Sequence, residues 1–308
     1  MPSPSLFRGA STPAVAPPNR VGEFLSENVR EVGEALQRLI PASSEEDGGV
    51  GEAMRYTALA PGKRIRPAIL LAVGESYGAP RSRLLTSSCA VEMIHAASLI
   101  LDDLPCMDDA QLRRDLPTNH RVYGEATAIL AAFGLLNLAY RVVAGDATIS
   151  EETRVEVASR LGEAVGTRGL IAGQALDLAL VEARLTLDEL ERIHSRKTGC
   201  LFIASVEIGA LLGKAPAAEL QALSRFAKNL GLAYQIVDDL LDATGDAAAT
   251  GKEPRADRRG NFVSLSGVEG ARRLAAELSD CALDHLAALG PRAALLRGLA
   301  LHLTGRTR

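Results

Sequence analysis

The chain has 308 residues, 47% of them hydrophobic and 23% charged, with no tryptophan and a formal net charge of -4. That is enough apolar material for a large core, and a hydrophobic fraction led by Ala and Leu with few aromatics favours helices over sheets. The acidic balance speaks against a nucleic-acid binder, yet leaves room for small anionic substrates held by a local cluster of Lys and Arg.

Met1 to Arg20 is rich in Pro, Ser and Ala, lacks the apolar stretch of a secretory signal, and reads as a disordered tail. From Val21 onward the pattern is helical, and residues 21–308 read as a single all-α domain. Phe24, Leu25, Val29, Val32, Leu36 and Leu39 recur at helical spacing until Pro41 closes the run. The stretch SSEEDGGVG at 43–51 is a loop by composition, and the next helix opens near Pro67 and ends at the Tyr77–Pro80 breaker. The longest uncharged run, Ala126 to Tyr140, is too short to span a bilayer and reads as a buried core helix. Thr186 and Glu189 form a capping box that starts a long helix through Ile193, Phe202 and Val206. Gly199 inside that helix marks a bend or a close backbone approach. Cys89, Cys106, Cys200 and Cys281 make no CxxC pair, so reduced thiols in a cytoplasmic protein are expected.

Two acidic clusters stand out. Asp102-Asp103-Leu-Pro-Cys-Met-Asp108-Asp109 follows the apolar run AASLIL, and Asp238-Asp239-Leu-Leu-Asp242 follows AYQIV. Acids at the ends of apolar helices are costly unless they meet cations. Asp238 and Asp242 share a helix face. Asp102 and Asp108 would not, but Pro105 should break the helix and bring Asp108 round. Two facing oxygen-rich clusters suit Mg²⁺ with retained water and phosphate ligands. A solvated helix end explains either cluster alone about as well, but explains both together poorly.

Basic residues accompany the acids: Lys63, Arg64 and Arg66 in GKRIRP, then Arg113 and Arg114, then Lys197 and Lys252. Alternating cations and metal-binding acids favour diphosphate recognition. Ordinary surface charge is the plainer reading for Arg64 and for the arginines near the C-terminus. His95 lies two turns before Asp102 on the same face; alone, such a histidine is more often a core residue than a ligand. Gln174 and Asp177 are polar groups in an apolar helix and want partners.

Taken in order, GKRIRP, DDLPCMDDAQLRR, GQALDL, RKTG and YQIVDDLLD resemble the ordered motifs of the short-chain trans-isoprenyl diphosphate synthases over nearly the whole chain from about Val21. HAASLILDDLPCMDDA is similar to bacterial geranylgeranyl diphosphate synthases of carotenoid pathways. The resemblance implies a helical bundle around a central cavity, a homodimer, and about three Mg²⁺ ions per site. It implies that isopentenyl diphosphate condenses with an allylic diphosphate, and neither nucleic acid nor a membrane span is expected. Asp102, Asp108 and Asp238 would bind metal directly, with Asp103, Asp239 and Asp242 in the same shells. Lys63, Arg66, His95 and Arg114 would hold isopentenyl diphosphate. Arg113, Lys197, Thr198, Gln235 and Lys252 would hold the allylic diphosphate or steady the cation.

Two departures stand against that pattern. ADRRGN before Phe262 replaces a family lysine motif, with Arg258 or Arg259 as the substitute, and Asp115-Leu116 replaces a glycine and a basic residue, with a small effect expected. Product length should depend on Ala97 and Ser98, small residues one turn before Asp102 where farnesyl diphosphate synthases place an aromatic, with Phe133 as a candidate floor. An intact DDLLD and GKRIRP disfavour a terpene cyclase, and two whole acidic motifs disfavour a non-catalytic partner subunit. A synthase of longer chains is the alternative within the class.

Overall fold

The structure, a computed structural model, describes residues 14–42, 44–179, 185–244 and 260–305, so Lys252, Arg258 and Arg259 lie outside the described residues. Pro18 takes the first position of α1 (Pro18–Leu39), where its missing N–H costs nothing, and the helix therefore begins inside the expected tail. Ahead of it, buried Ala16 donates its N–H to the Ala294 carbonyl at 2.9 Å. Helix α2 (Val50–Ala58) opens on Gly49, within the stretch read as loop, and α3 (Ile65–Ser76) starts two residues before Pro67.

Helix α4 (Arg81–Asp102) leads into a two-residue hairpin, β1 (Leu112–Arg113) against β2 (Leu116–Pro117), which the sequence did not announce. Next come α5 (Asn119–Tyr123), α6 (Glu125–Ala144), α7 (Glu151–Val165) and α8 (Leu170–Ala179). The Thr186–Glu189 capping box closes at 2.9 and 3.3 Å and starts α9 (Leu187–His194). A π-helical turn, Ser195–Gly199, joins α9 without a break to α10 (Cys200–Leu212). Helices α11 (Ala217–Thr244), α12 (Phe262–His285) and α13 (Ala294–Thr304) complete the order.

Helix α4 is buried almost all round, as a central helix must be, and packs against α3, α6 and α10. Helix α10 crosses α3 so closely that a Cβ on Gly209 would stand 2.5 Å from the Leu70 carbonyl oxygen. Any side chain there would push two core helices apart. A smaller apolar cluster of Leu190, Leu232, Ile236, Val237, Leu240, Phe262, Ala271 and Ala275 joins α9, α11 and α12.

By length and composition α4 and α6 could cross a membrane, with 67% and 39% of their apolar windows buried inside the protein. Helix α6 is thus not the wholly buried helix expected. Ala128, Ala131, Ala132 and Leu135 face the core, whereas Leu130 and Phe133 are 55% and 66% exposed. Phe133, expected as a tunnel floor, stands on the outside of the chain and is not among the residues lining the cavity. Both faces of α6 are apolar, and periodicity cannot tell which one meets the core.

Two arginines read as surface charge are buried. Arg297 donates to the carbonyls of Ala14, Leu286 and Gly290, locking the C-terminal helix to the chain ahead of α1. Arg64 pairs with Glu92 of α4 at 2.6 Å and also donates to the carbonyls of Ala58 and Ala60.

Candidate active site

Helix α4 ends at Asp102 and the chain turns back through Pro105. The Asp108 N–H donates to the Asp102 carbonyl at 3.0 Å and the Ala110 N–H to that of Asp103 at 3.2 Å, closing a compact turn. Asp102 and Asp108 thereby line one cavity of about 480 Å³, together with Asp238 and Asp242 from α11. Burial lifts the Asp102 carboxyl to about 6; Lys197 opposes the shift, and the negative charge of Asp108 adds to it.

The second acid of each motif is turned away from the cavity. Asp103 is buried and accepts both Nε and Nη2 of Arg113 at 2.7–2.9 Å. Burial works against the Arg113 charge, but the paired Asp103, with Asp102 and Asp108 beyond, outweighs it and raises its pKa. Asp239 is also buried; its Oδ1 accepts from Gln235 Nε2 at 2.9 Å and its Oδ2 from the Phe262 N–H at 3.0 Å. Of the six acids expected in the metal shells, Asp102, Asp108, Asp238 and Asp242 line the cavity, where Asp109 joins them, while Asp103 and Asp239 point into the frame.

Arg113 and Arg114 reach the cavity from the hairpin. Arg114 and Asp115 are both left-handed, at φ 56° and 63°, which makes the tight two-residue turn without a glycine. Arg114 Nη1 donates to the Pro61 carbonyl, and a Cβ on Gly62 would come within 2.6 Å of that nitrogen, so a side chain there would displace the guanidinium. Arg66 and His95 share the cavity, with Arg66 Nη1 3.3 Å from His95 Nε2. A guanidinium can only donate, so His95 Nε2 accepts and the ring is neutral. Burial and the surrounding arginines, Arg66 foremost, push its pKa well below the usual histidine range. Lys63 is exposed in the loop before α3 and is not among the residues lining the cavity.

Lys197 and Thr198 sit on the π turn, which widens the helix by one residue and carries both to the cavity. The tightest backbone approach to this turn is on the partner helix: a Cβ on Gly173 would lie 2.3 Å from the Lys197 backbone nitrogen. Lys197 Nζ pairs with Asp177 at 2.7 Å, the partner that Asp177 wanted. Gln174 Nε2 lies 3.6 Å from the Met107 sulfur. Thr198 Oγ1 donates to Gln235 Oε1 at 2.9 Å.

With this geometry in view, the family description Polyprenyl synthetase matches residues 49–286. The chain belongs to the polyprenyl synthetase family. Among its relatives, farnesyl diphosphate synthase of Escherichia coli (strain K12) is 42% identical over 264 residues, covering 84% of this chain and 88% of its own. Chloroplastic geranylgeranyl pyrophosphate synthase of Capsicum annuum is 40% identical, covering 92% and 78%. The solved geranyltransferase of Helicobacter pylori, complexed with magnesium and isoprenyl diphosphate, superposes with a TM-score of 0.83 at 30% identity, covering 96% and 99%.

As a polyprenyl synthetase the chain is a trans-prenyltransferase of the all-α terpenoid synthase fold. Its relatives carry both farnesyl and geranylgeranyl names. Sequence reasoning missed Tyr234, which lines the cavity and packs on Phe202 with ring centroids 5.4 Å apart. Its position one turn before Asp238, on the face of Gln235, Asp238 and Asp242, was the available signal. Ser98 and Leu99 also line the cavity, whereas Ala97 is buried in the core beside it.

Proposed function

We infer that this polyprenyl synthetase condenses isopentenyl diphosphate with allylic diphosphates, needs Mg²⁺, and releases geranylgeranyl diphosphate as its main product. The observation that carries the reading is a single cavity with two facing pairs of acids, Asp102 with Asp108 and Asp238 with Asp242, rimmed by Arg66, Arg113, Arg114 and Lys197. Among the described residues no three acidic, imidazole or thiol groups converge closely enough to enclose an ion alone. Such a donor set fits Mg²⁺, which keeps water and takes phosphate oxygens to fill its octahedron. When bound, the metal supplies the positive charge that neutralises a departing diphosphate.

The protein's own groups divide the rest of the work. Arg113 and Lys197 hold the allylic diphosphate beside the acids, and Lys252 is assigned to the same end. Arg66, Arg114 and neutral His95 hold isopentenyl diphosphate, with Lys63 recruited from the loop before α3. As the allylic C–O bond breaks, Thr198 and Gln235 face the resulting carbocation and the double bond of isopentenyl diphosphate attacks it. The proton lost in the last step goes to the released diphosphate. The chain grows along α4 from Asp102, past Ser98 and Leu99.

Small residues at Ala97 and Ser98 support a product longer than farnesyl diphosphate. Chromatography of dephosphorylated products should give mainly the twenty-carbon alcohol from the parent and the fifteen-carbon alcohol from Ala97→Tyr or Ser98→Tyr. A parent product of thirty carbons or more defeats the assignment, and an unchanged product from both variants moves the tunnel elsewhere. Such a product is a precursor for carotenoids. The four free cysteines suit a reducing compartment, and we place the enzyme in the cytoplasm.

The exposed apolar strip of Ile129, Leu130 and Phe133 on α6 supports a homodimer. Light scattering should find twice the chain mass for the parent and a shift toward single mass for Phe133→Asp. A monomeric parent overturns this part.

A further inference from the structure

Three hydrogen bonds form a chain from the start of α12 to the cavity: Phe262 N–H to Asp239 Oδ2 at 3.0 Å, Gln235 Nε2 to Asp239 Oδ1 at 2.9 Å, and Thr198 Oγ1 to Gln235 Oε1 at 2.9 Å. The direction of each bond is dictated by chemistry. A carboxylate only accepts, so the Gln235 end facing Asp239 must be its NH₂ group. Its carbonyl oxygen is then the end that meets Thr198, and that oxygen also only accepts. The Thr198 hydroxyl must therefore give its hydrogen to Gln235. What remains on the cavity side of Thr198 is lone pairs.

We propose that Asp239, the second acid of the DDLLD motif, is a positioning residue that sets the polarity of the Thr198 hydroxyl, holding its negative end toward the carbocation. This deepens the proposed function and rests on it. A fixed dipole aimed at developing charge needs no reorganisation during the reaction, which is where electrostatic catalysis gains most. Asp239 does this without touching substrate. Its burial and its bond to Phe262 keep it fixed while Asp238 and Asp242, on the same helix, face the cavity.

Asp239→Asn tests the idea because it keeps shape and inverts polarity. The Asn oxygen still accepts from Phe262, so its NH₂ now faces Gln235. The Gln235 amide must flip, and the Thr198 hydroxyl becomes the acceptor with its hydrogen turned elsewhere. With isopentenyl and farnesyl diphosphates and saturating Mg²⁺, kcat should fall about ten- to hundredfold. KM for both substrates should change less than about twofold, as expected of a group that touches neither diphosphate. Thr198→Val should cost a similar factor, Thr198→Ser little, and the double variant Asp239→Asn/Thr198→Val no more than Thr198→Val alone. Full additivity in that cycle overturns the proposal, as does a raised KM for Mg²⁺ with kcat intact. An inactive parent instead overturns the prenyltransferase reading itself. Where Asp239→Asn lowers the melting temperature, Asp239→Asn/Gln235→Glu restores an acceptor for Thr198; kcat rising above the single variant supports the relay, and no rise sinks it.

Discussion

The first acidic cluster sits where a helix ends, the second inside one. In α4 the chain must turn through Pro105 before Asp108 can join Asp102, whereas in α11 the helical period alone aligns Asp238 with Asp242. Each cluster also diverts its second acid, but to different partners. Asp103 pairs with the guanidinium of Arg113, and Asp239 accepts from the Gln235 amide and the Phe262 N–H. The contrast teaches that the same residue pair does two jobs. In the first motif the diverted charge anchors the hairpin that brings Arg113 and Arg114; in the second it orients an amide.

The sharpest way to break this comparison is at the acids that face the cavity. Asp102→Asn and Asp238→Asn should each lower turnover by about three orders of magnitude or more, read in a steady-state assay, with chelation silencing the parent and Mg²⁺ restoring it. Asp102→Asn has an opposite effect on folding. Its carboxyl is raised from 3.8 to about 6 in the folded state, so the stability it contributes is present below about pH 4 and is lost as pH rises through 6. At pH 7.5 the metal-free variant should therefore outlast the parent by about 2 kcal/mol in urea, and the gap should vanish near pH 4.

Next in size is the contrast between the diverted acids. Asp103→Asn breaks a largely buried ion pair and leaves Arg113 uncompensated, for a loss of about 2–3 kcal/mol. Asp239→Asn keeps an acceptor for Phe262 and should cost clearly less. Equal losses in the two unfolding curves would erase the distinction. Smallest is Asp115→Gly. The left-handed φ of 63° favours glycine, so the change should add about 0.5–1 kcal/mol and leave turnover within about twofold. A drop in stability would show that the Asp115 side chain supports the turn.

Much of the site was legible because its chemistry is local. Pro105 announces the turn that joins Asp102 to Asp108, and a four-residue spacing places Asp238 beside Asp242. What failed depended on distant partners. Arg64 looked like surface charge because Glu92, its ion pair, lies 28 residues away on α4. That Asp103 and Asp239 turn from the cavity was not legible, because sequence gives a carboxylate's identity but not which way the helix end or a neighbouring N–H turns it. Phe133 looked like a floor because α6 is apolar on both faces, and α2 was hidden by a short helix opening on Gly49 with no side-chain cap. Gly199 did mark irregular backbone and a close approach, since a Cβ on Gly231 of α11 would stand 3.2 Å from its Cα, but the tighter contact is at Gly173.

The π turn has a further consequence for how the molecule comes apart. Helices α9 and α10 form one unbroken rod, yet Leu190 before the turn belongs to the smaller apolar cluster and Leu201 and Phe202 after it to the larger. One added residue rotates everything beyond it by about 100°, so the turn re-indexes the rod from one core to the other. Lys197 and Thr198 occupy that joint. The smaller core cannot loosen without dragging the rod through the joint, which binds the integrity of the chemistry to the cooperativity of the fold.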